Sequence, residues 1–308
     1  MNLNLVEHKE ITESLITLRD YIRWGSSEFH RQKLTFGHGF NRALDEAVYL
    51  VLHALSLPFD WPESYFDTRL TEAEREQVLN LLMKRIYSRK PTAYLTNEAW
   101  FCGLPFYVDE RVLVPRSPIA ELINNQFEPW LDATGVDNVL DLCTGSGCIA
   151  IACQYAFPDA QVSASDLSPD AIEVATKNCK KHGFEQTLAL YQSDLFENIP
   201  AQKFDLIVSN PPYVDARDMA DLTDEFKAEP KMGLAAGQDG LEIVDRMLIQ
   251  AIDYLSDHGL LVVEVGNSQQ AMMGKYSDLP LSWIEFENGG GGVFCITAEE
   301  LKRNSDRV

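Results

Sequence analysis

The chain has 308 residues, 45% of them hydrophobic and 24% charged, which excludes wholesale disorder and leaves room for two domains of about 100–200 residues each. Lys and Arg number 26 against 47 Asp and Glu, a formal charge of −21. Such a chain lacks the basic face that grips duplex phosphates; its acidity suits a basic protein partner, because opposite fields steer encounter, or else serves solubility alone.

The opening stretch, MNLNLVEHKEITESL, carries early acids and no apolar segment, so it does not read as a secretory leader. No run of about 18 apolar residues marks a membrane span, and a cytoplasmic protein without a membrane partner is expected. Residues 1–90 then read as helical. Leu15, Ile16, Leu18, Tyr21 and Ile22 recur at helical spacing, as do Ala47, Val48, Leu50, Val51 and Leu55. Between these runs His38 stands between two glycines and reads first as a turn or cap residue, with substrate contact as the second reading. Pro58 and Pro62 punctuate the module, and Thr71-Glu72-Ala73-Glu74 looks like a capped helix start. From 91 to 116 the chain turns aromatic and Gly/Pro-marked, then extended through Arg111 to Arg116, and we expect a β-hairpin linking two domains.

From 117 to 308 strand and helix patterns alternate. Apolar strands are expected at 139–140, 160–164, 188–191, 204–208 and 260–265, with helices at 171–181 and 241–255. That alternation predicts an α/β fold, a Rossmann-like parallel sheet with helices on both faces. At the tail, Trp283 to Phe286 and Val293 to Thr297 flank the run Gly289 to Gly292, which suggests a terminal antiparallel hairpin. The six cysteines, Cys102, Cys143, Cys148, Cys153, Cys179 and Cys295, form no C-x-x-C pair and no His-containing cluster at zinc spacing. Free thiols and no metal are expected.

Four places along this second half carry chemistry. Val139-Leu140-Asp141-Leu142 runs into the small-residue loop Cys143-Thr144-Gly145-Ser146-Gly147, where glycines permit a tight turn and close ligand approach. It is not the full G-x-G-x-x-G fingerprint. A carboxylate at the strand end repels pyrophosphate but welcomes an ammonium, so S-adenosylmethionine fits better than a dinucleotide. Asp166, 25 positions later at the end of the next strand, is placed to accept ribose hydroxyls, and Ser168-Pro169 starts a helix in the usual way. Asp194 alone is a loop acid; in series with the other two it is a candidate for an adenine amino group, with Leu195 and Phe196 against the ring.

The most specific signal is Asn210-Pro211-Pro212-Tyr213, delivered by the buried strand at 204–208. The prolines stiffen the loop, the Pro211 carbonyl is a fixed acceptor, and the Asn210 side chain offers a second. Two acceptors can hold both hydrogens of a planar amino group while Tyr213 stacks on its face. The arrangement suits methylation of an amide or of an exocyclic base nitrogen. Two hydrogen bonds localise density on a weakly nucleophilic nitrogen and aim it, so positioning supplies much of the catalysis without a dedicated base.

Taken together, Asp141 to Gly147, Asp166, Asp194 and Asn210 to Tyr213 resemble the class I S-adenosylmethionine-dependent methyltransferases with an N-P-P-Y motif. Phe101-x-Gly103-x-x-Phe106 and Val112-Leu113-Val114-Pro115-Arg116 are similar to the HemK-like protein-glutamine methyltransferases. The resemblance implies a helical domain that docks substrate, a linking hairpin and a catalytic domain that uses S-adenosylmethionine. It adds Phe101 and Arg116 to the residues expected at the substrate, with an ordinary salt bridge as the other reading of Arg116. It also marks Cys143 as standing where glycine is common. Ser117-Pro118-Ile119-Ala120-Glu121, Phe36 to Asn41, Asp45-Glu46-Ala47, Glu264 to Ser268 and Gly289 to Phe294 are similar to the branch that methylates a glutamine of large-subunit ribosomal protein L-three. The branch that acts on peptide-chain release factors is the alternative. A nucleic-acid amino methyltransferase is a second alternative, but it calls for a basic cleft, and no Lys/Arg-rich stripe is present.

Overall fold

The computed structural model describes residues 5–308; the start of the stretch read against a secretory leader, residues 1–4, lies outside the described residues. The chain divides into two units. One holds residues 5–98 together with Thr223–Ala228, the other Ala99–Leu222 with Glu229–Val308. Among the described residues no helix is long and apolar enough to cross a membrane.

The first unit contains α1 (Leu5–Ser14), α2 (Leu18–Arg31), α3 (Ala43–Ala54), α4 (Glu72–Ser88) and α5 (Thr92–Thr96). Reciprocal caps start two of them. The Thr17 hydroxyl accepts from the Asp20 N–H at 3.2 Å while the Asp20 carboxylate accepts from the Thr17 N–H at 2.9 Å. Thr71 and Glu74 repeat this at α4, the start its sequence predicts. Leu18, Tyr21, Ile22, Gly25 and Phe29 bury one face of α2. A Cβ at Gly25 would lie 3.0 Å from Leu82 and 3.5 Å from Ala47, so the missing side chain lets α2 pack closely on α3 and α4. His38 is buried, its ring 4.2 Å from that of Phe226.

A buried ion network closes this unit. Arg85, 1% exposed, donates through Nε to Glu46 at 2.7 Å and through Nη2 to the Thr35 carbonyl at 3.1 Å. Its Nη1 lies 3.6 Å from Glu225, which also accepts from the Thr35 N–H at 3.0 Å and from Arg89 at 3.3 Å. Truncating the arginine leaves two buried carboxylates without their main counter-charge, a loss of about 3–5 kcal/mol. Arg85→Met is therefore expected to lower the unfolding free energy in urea by about 3 kcal/mol or more; a change below about 1 kcal/mol would show that the network contributes little.

The second unit opens with β1 (Ala99–Phe101) and β2 (Leu104–Phe106), paired antiparallel with Phe101 opposite Leu104. The hairpin expected across 91–116 is thus shorter and lies wholly inside the aromatic stretch. Cys102 and Gly103 both take positive φ, 49° and 73°, the geometry of a two-residue hairpin turn. Arg111 to Arg116 forms no strand, and the Val114 N–H donates instead to the Glu229 carboxylate at 3.0 Å.

There follow α6 (Ile119–Asn124), β3 (Asn138–Leu142), α7 (Cys148–Ala156), β4 (Gln161–Asp166), α8 (Pro169–His182), β5 (Ala189–Gln192), β6 (Phe204–Ser209), α9 (Ala216–Asp221), α10 (Glu242–Tyr254), β7 (Leu255–Glu264), α11 (Gln269–Lys275), β8 (Ser282–Trp283), β9 (Val293–Thr297) and α12 (Ala298–Arg303). Ser168 caps α8 and Pro169 occupies its first turn, as expected. The seven strands β3 to β9 form one sheet in the order β5-β4-β3-β6-β7-β9-β8. The first five in that order run parallel, and β9 is antiparallel to both its neighbours. The terminal hairpin is present, but β8 has only two residues. Side chains alternate between two cores. Leu206, Val208 and Val262 face the side of α6 and α7, while Ile207, Leu261 and Val263 face that of α10 and α12. The chain leaves β3 toward β5 on one side and returns through β6 toward β7 on the other. Loops after β3 and β6 therefore meet at the switch point, where open α/β sheets bind ligands.

Candidate functional site

Strand register decides which residues meet. Leu142 lies opposite Ser165 and Ser209, Asp166 opposite Gln192, and Ser209 opposite Val263. The carboxyl ends of β5, β4, β3, β6 and β7 thus share one edge, which carries Asp194, Asp166, the 143–147 loop, Asn210 and Glu264 in spatial order. The Ser209 hydroxyl donates to the Leu142 carbonyl at 2.7 Å and clamps the β3 and β6 ends together.

Asp141 is fully buried. One oxygen accepts from the Thr144 hydroxyl at 2.5 Å and the Ala150 N–H at 3.1 Å; the other has no partner among the described residues. Burial pushes its carboxyl up to about 7 against those two hydrogen bonds. Asp141 sits beneath the loop and shapes it through Thr144 and Ala150. Cys143 adopts φ 57°, the left-handed region in which glycine is strain-free. The loop is pinned further by the Thr144 N–H on the Ser165 carbonyl at 2.9 Å and by Asn178, which donates to the Ser146 carbonyl at 2.8 Å. Gly145 and Gly147 take positive φ, 55° and 80°, and the Gly147 N–H closes the turn on the Thr144 carbonyl at 2.9 Å.

Asp166 is the carboxylate that crosses between loops. Its oxygens accept from the Gly145 N–H and the Ser168 N–H, each at 2.9 Å. Burial raises its pKa, opposed by these backbone donors. The neighbouring Leu167 is 52% exposed, an apolar seat at the sheet edge that the sequence reading passed over. Asp194 is held by Arg246 at 2.9 Å. The expectation that Leu195 and Phe196 pack on a ligand ring is corrected: both are core residues, and Phe196 stacks on Tyr254 at 4.5 Å.

At the end of β6 the two expected acceptors are open. Among the described residues, neither the Asn210 side chain nor the Pro211 carbonyl has a hydrogen-bond partner. Pro211 is buried and Pro212 half-buried. Tyr213 is fixed on both sides. Its hydroxyl donates to Glu264 at 3.1 Å, its carbonyl accepts from the Ser268 hydroxyl at 2.8 Å, and its ring lies so close to Gly266 that a Cβ there would approach it to 2.4 Å. Burial and the Glu264 charge raise the phenol pKa.

Phe101 and Arg116, both expected at the substrate, sit in different surroundings. Phe101 is buried among Phe106, Ile119 and Leu122, because the short hairpin turns it into the core. Arg116 is engaged by Glu229 at 2.6 and 2.8 Å, the salt-bridge reading. All six cysteines are free thiols. A groove of about 680 Å³ opens beside Tyr213, bordered by Glu264, Asn267, Gln270 and Gly290 to Gly292.

Two relatives cover nearly the whole chain. A "ribosomal protein uL3 glutamine methyltransferase" of Francisella tularensis is 46% identical over 301 residues, 97% of this chain and 96% of that protein. One of the same name from Neisseria gonorrhoeae is 45% identical over 293 residues, 95% and 98% of the two chains. The chain belongs to the uL3 glutamine methyltransferase family. The methyltransferase small domain family model matches residues 126–258. Among solved structures, a methyltransferase from Pyrococcus furiosus is 19% identical with a TM-score of 0.46, covering 64% of this chain and 89% of that one.

Glu264 of this methyltransferase entered the sequence reading only through a resemblance, and its part in holding Tyr213 was missed. It is 5% exposed and accepts from the Ser117 hydroxyl at 2.5 Å as well as from Tyr213. Its signal was an acid ending the apolar run Leu260 to Val263, the pattern that singled out Asp141. Burial pushes this carboxyl up to about 7, while Ser117, Tyr213 and the charge of Arg116 pull it back. The folded protein thus keeps the proton to about pH 7, whereas the unfolded chain releases it near 4.5. Glu264 stabilises fully below the lower value, and that contribution is lost as pH rises through the upper one. Wild type is therefore expected to lose stability relative to Glu264→Gln between pH 5 and 8, read from urea midpoints; parallel pH profiles would contradict the assignment. Asp141, shifted the same way, is present in both proteins and cancels.

Proposed function

We propose that this methyltransferase transfers a methyl group from S-adenosylmethionine to the side-chain amide nitrogen of a glutamine in ribosomal protein uL3. The observation that carries the reading is the pair of open acceptors, the Asn210 side-chain oxygen and the Pro211 carbonyl, beside the 143–147 loop at the switch point. A primary carboxamide has two N–H groups to give them.

The residues around the loop fit this cofactor. From Asp141 to Gly147 there is no cation to grip a pyrophosphate. Asp166 retains lone pairs for ribose hydroxyls, exposed Leu167 offers a seat for a flat ring, and the buried Asp141 leaves one oxygen open beneath the loop. We assign the holding of the cofactor to Cys143, Thr144, Gly145, Ser146, Gly147, Asp166 and Asp194, with Leu195 contributing its backbone alone. When bound, the cofactor supplies a sulfonium-activated methyl group.

The chain's own part is orientation. Asn210 and Pro211 draw the two amide hydrogens into line, which localises electron density on a nitrogen otherwise delocalised into its carbonyl. Pro211 and Pro212 hold the acceptors without rearrangement, so little entropy is lost at reaction. Tyr213, tethered to Glu264, forms the wall against which the carboxamide plane rests. An amide nitrogen that has gained a methyl group is a strong acid, and its proton passes to solvent without a dedicated base.

A basic ribosomal protein also suits a chain of charge −21, and we assign docking of the remainder of the substrate to the helical unit. Asn210→Ala is expected to lower methyl transfer to uL3 by about 10²-fold or more while calorimetry still detects cofactor binding. Near-normal turnover would overturn the two-acceptor role. Label appearing in release factors or nucleic acid, with uL3 unlabelled, would overturn the substrate.

A further inference from the structure

The groove beside Tyr213 is larger than a single carboxamide needs. Its volume of about 680 Å³ lies in the range of clefts that enclose whole ligands, roughly 300–1,000 Å³. Tyr213 borders it, two and three positions along the chain from the acceptors Pro211 and Asn210.

The lining has a distinct chemistry. Asn267, Gln269 and Gln270 contribute three side-chain carboxamides, each with a donor and an acceptor that match the C=O and N–H of a polypeptide main chain. Its charged side chains already have partners. Arg116 is engaged by Glu229, and Glu264 by Tyr213 and Ser117. A nucleic-acid strand asks for cations along its phosphates and for stacking faces; this lining offers neither beyond Tyr213. Met273, 51% exposed, adds a soft apolar contact.

One wall is formed by Gly290 to Gly292, and two of these glycines answer to the fold. A Cβ at Gly290 would approach Pro118 to 2.9 Å, and one at Gly292 would approach the Gly266 backbone to 2.4 Å. Gly291 is different. It does not occupy the left-handed region, and an added Cβ would meet nothing within 4 Å. Its missing side chain leaves space that the protein itself does not fill.

We propose that this groove seats the main chain of the substrate polypeptide next to the methylated glutamine, as an extended, uncharged segment passing over Gly291. The inference rests on the protein-glutamine reading and deepens it: the groove reads backbone, so the residues flanking the glutamine must be small enough to let that backbone come close. Charged residues of the basic substrate then lie outside the groove.

Full-length Gly291→Val, with Gly291→Ala as the smaller step, tests this against wild type with labelled methyl donor. Kinetics are measured on whichever protein the wild type labels, so a wrong substrate shows in the wild type and a wrong groove only in the variants. The expected result is a KM for the protein substrate raised about tenfold or more in Gly291→Val and less in Gly291→Ala, with cofactor affinity, kcat at saturating substrate and melting temperature unchanged. A KM within twofold of wild type for both variants would overturn the groove, as would wild-type labelling of nucleic acid.

Discussion

Parallel pairing of β3 with β6 sets Leu142 opposite Ser209, and a single hydroxyl-to-carbonyl hydrogen bond of 2.7 Å clamps the two strands where they end. Everything beyond that point inherits its position. The 143–147 loop leaves from one strand and the Asn210–Tyr213 segment from the other, so the loop assigned to the methyl donor and the paired acceptors become neighbours. A slip of one residue would exchange the faces of β6, sending Leu206 and Val208 into the wrong core. The hydrophobic alternation of the strands thus protects the geometry of the site.

Acids organise this edge without being exposed along it. Asp141 lies under the loop that it shapes, Asp166 bridges from Gly145 to Ser168, and Glu264 holds the Tyr213 hydroxyl. Each receives N–H or O–H donors that offset part of the cost of burial. Asp205 plays a matching part at the opposite end of the sheet, accepting from the Asp137 and Asn138 N–H groups at 3.0 Å each. This frame of buried carboxylates holds the strand ends in place, and at the end of β6 it leaves Asn210 and Pro211 with acceptor capacity to spare, which is what a binding site requires.

The same logic separates this site from that of an enzyme built for nucleic acid. Its one groove-lining guanidinium is neutralised from within by Glu229, and the net charge of the chain opposes a phosphate backbone. Carboxamides and glycine in its place favour a neutral main chain. In the proposed reading, the acidity of the whole molecule acts at long range on a basic protein, while the groove acts at short range through shape.

Much of this was legible in the residue order. Thr71 with Glu74, Ser168 with Pro169 and the alternating apolar runs mark where helices and strands begin, because capping and periodicity are local properties. Asn-Pro-Pro-Tyr after a buried strand likewise announces stiff acceptors, since proline removes donors wherever it stands. Burial is not local. Phe101, Leu195 and Phe196 looked available and are core, Asp141 is buried beneath the loop it shapes, and Arg116 found Glu229 113 positions away. The sequence by itself determined the kind of sheet, the order of its elements and the chemistry offered at the strand ends. Only the tertiary structure decided which of those groups stay open to a substrate, because that depends on partners brought together by strand register rather than by neighbourhood in the chain.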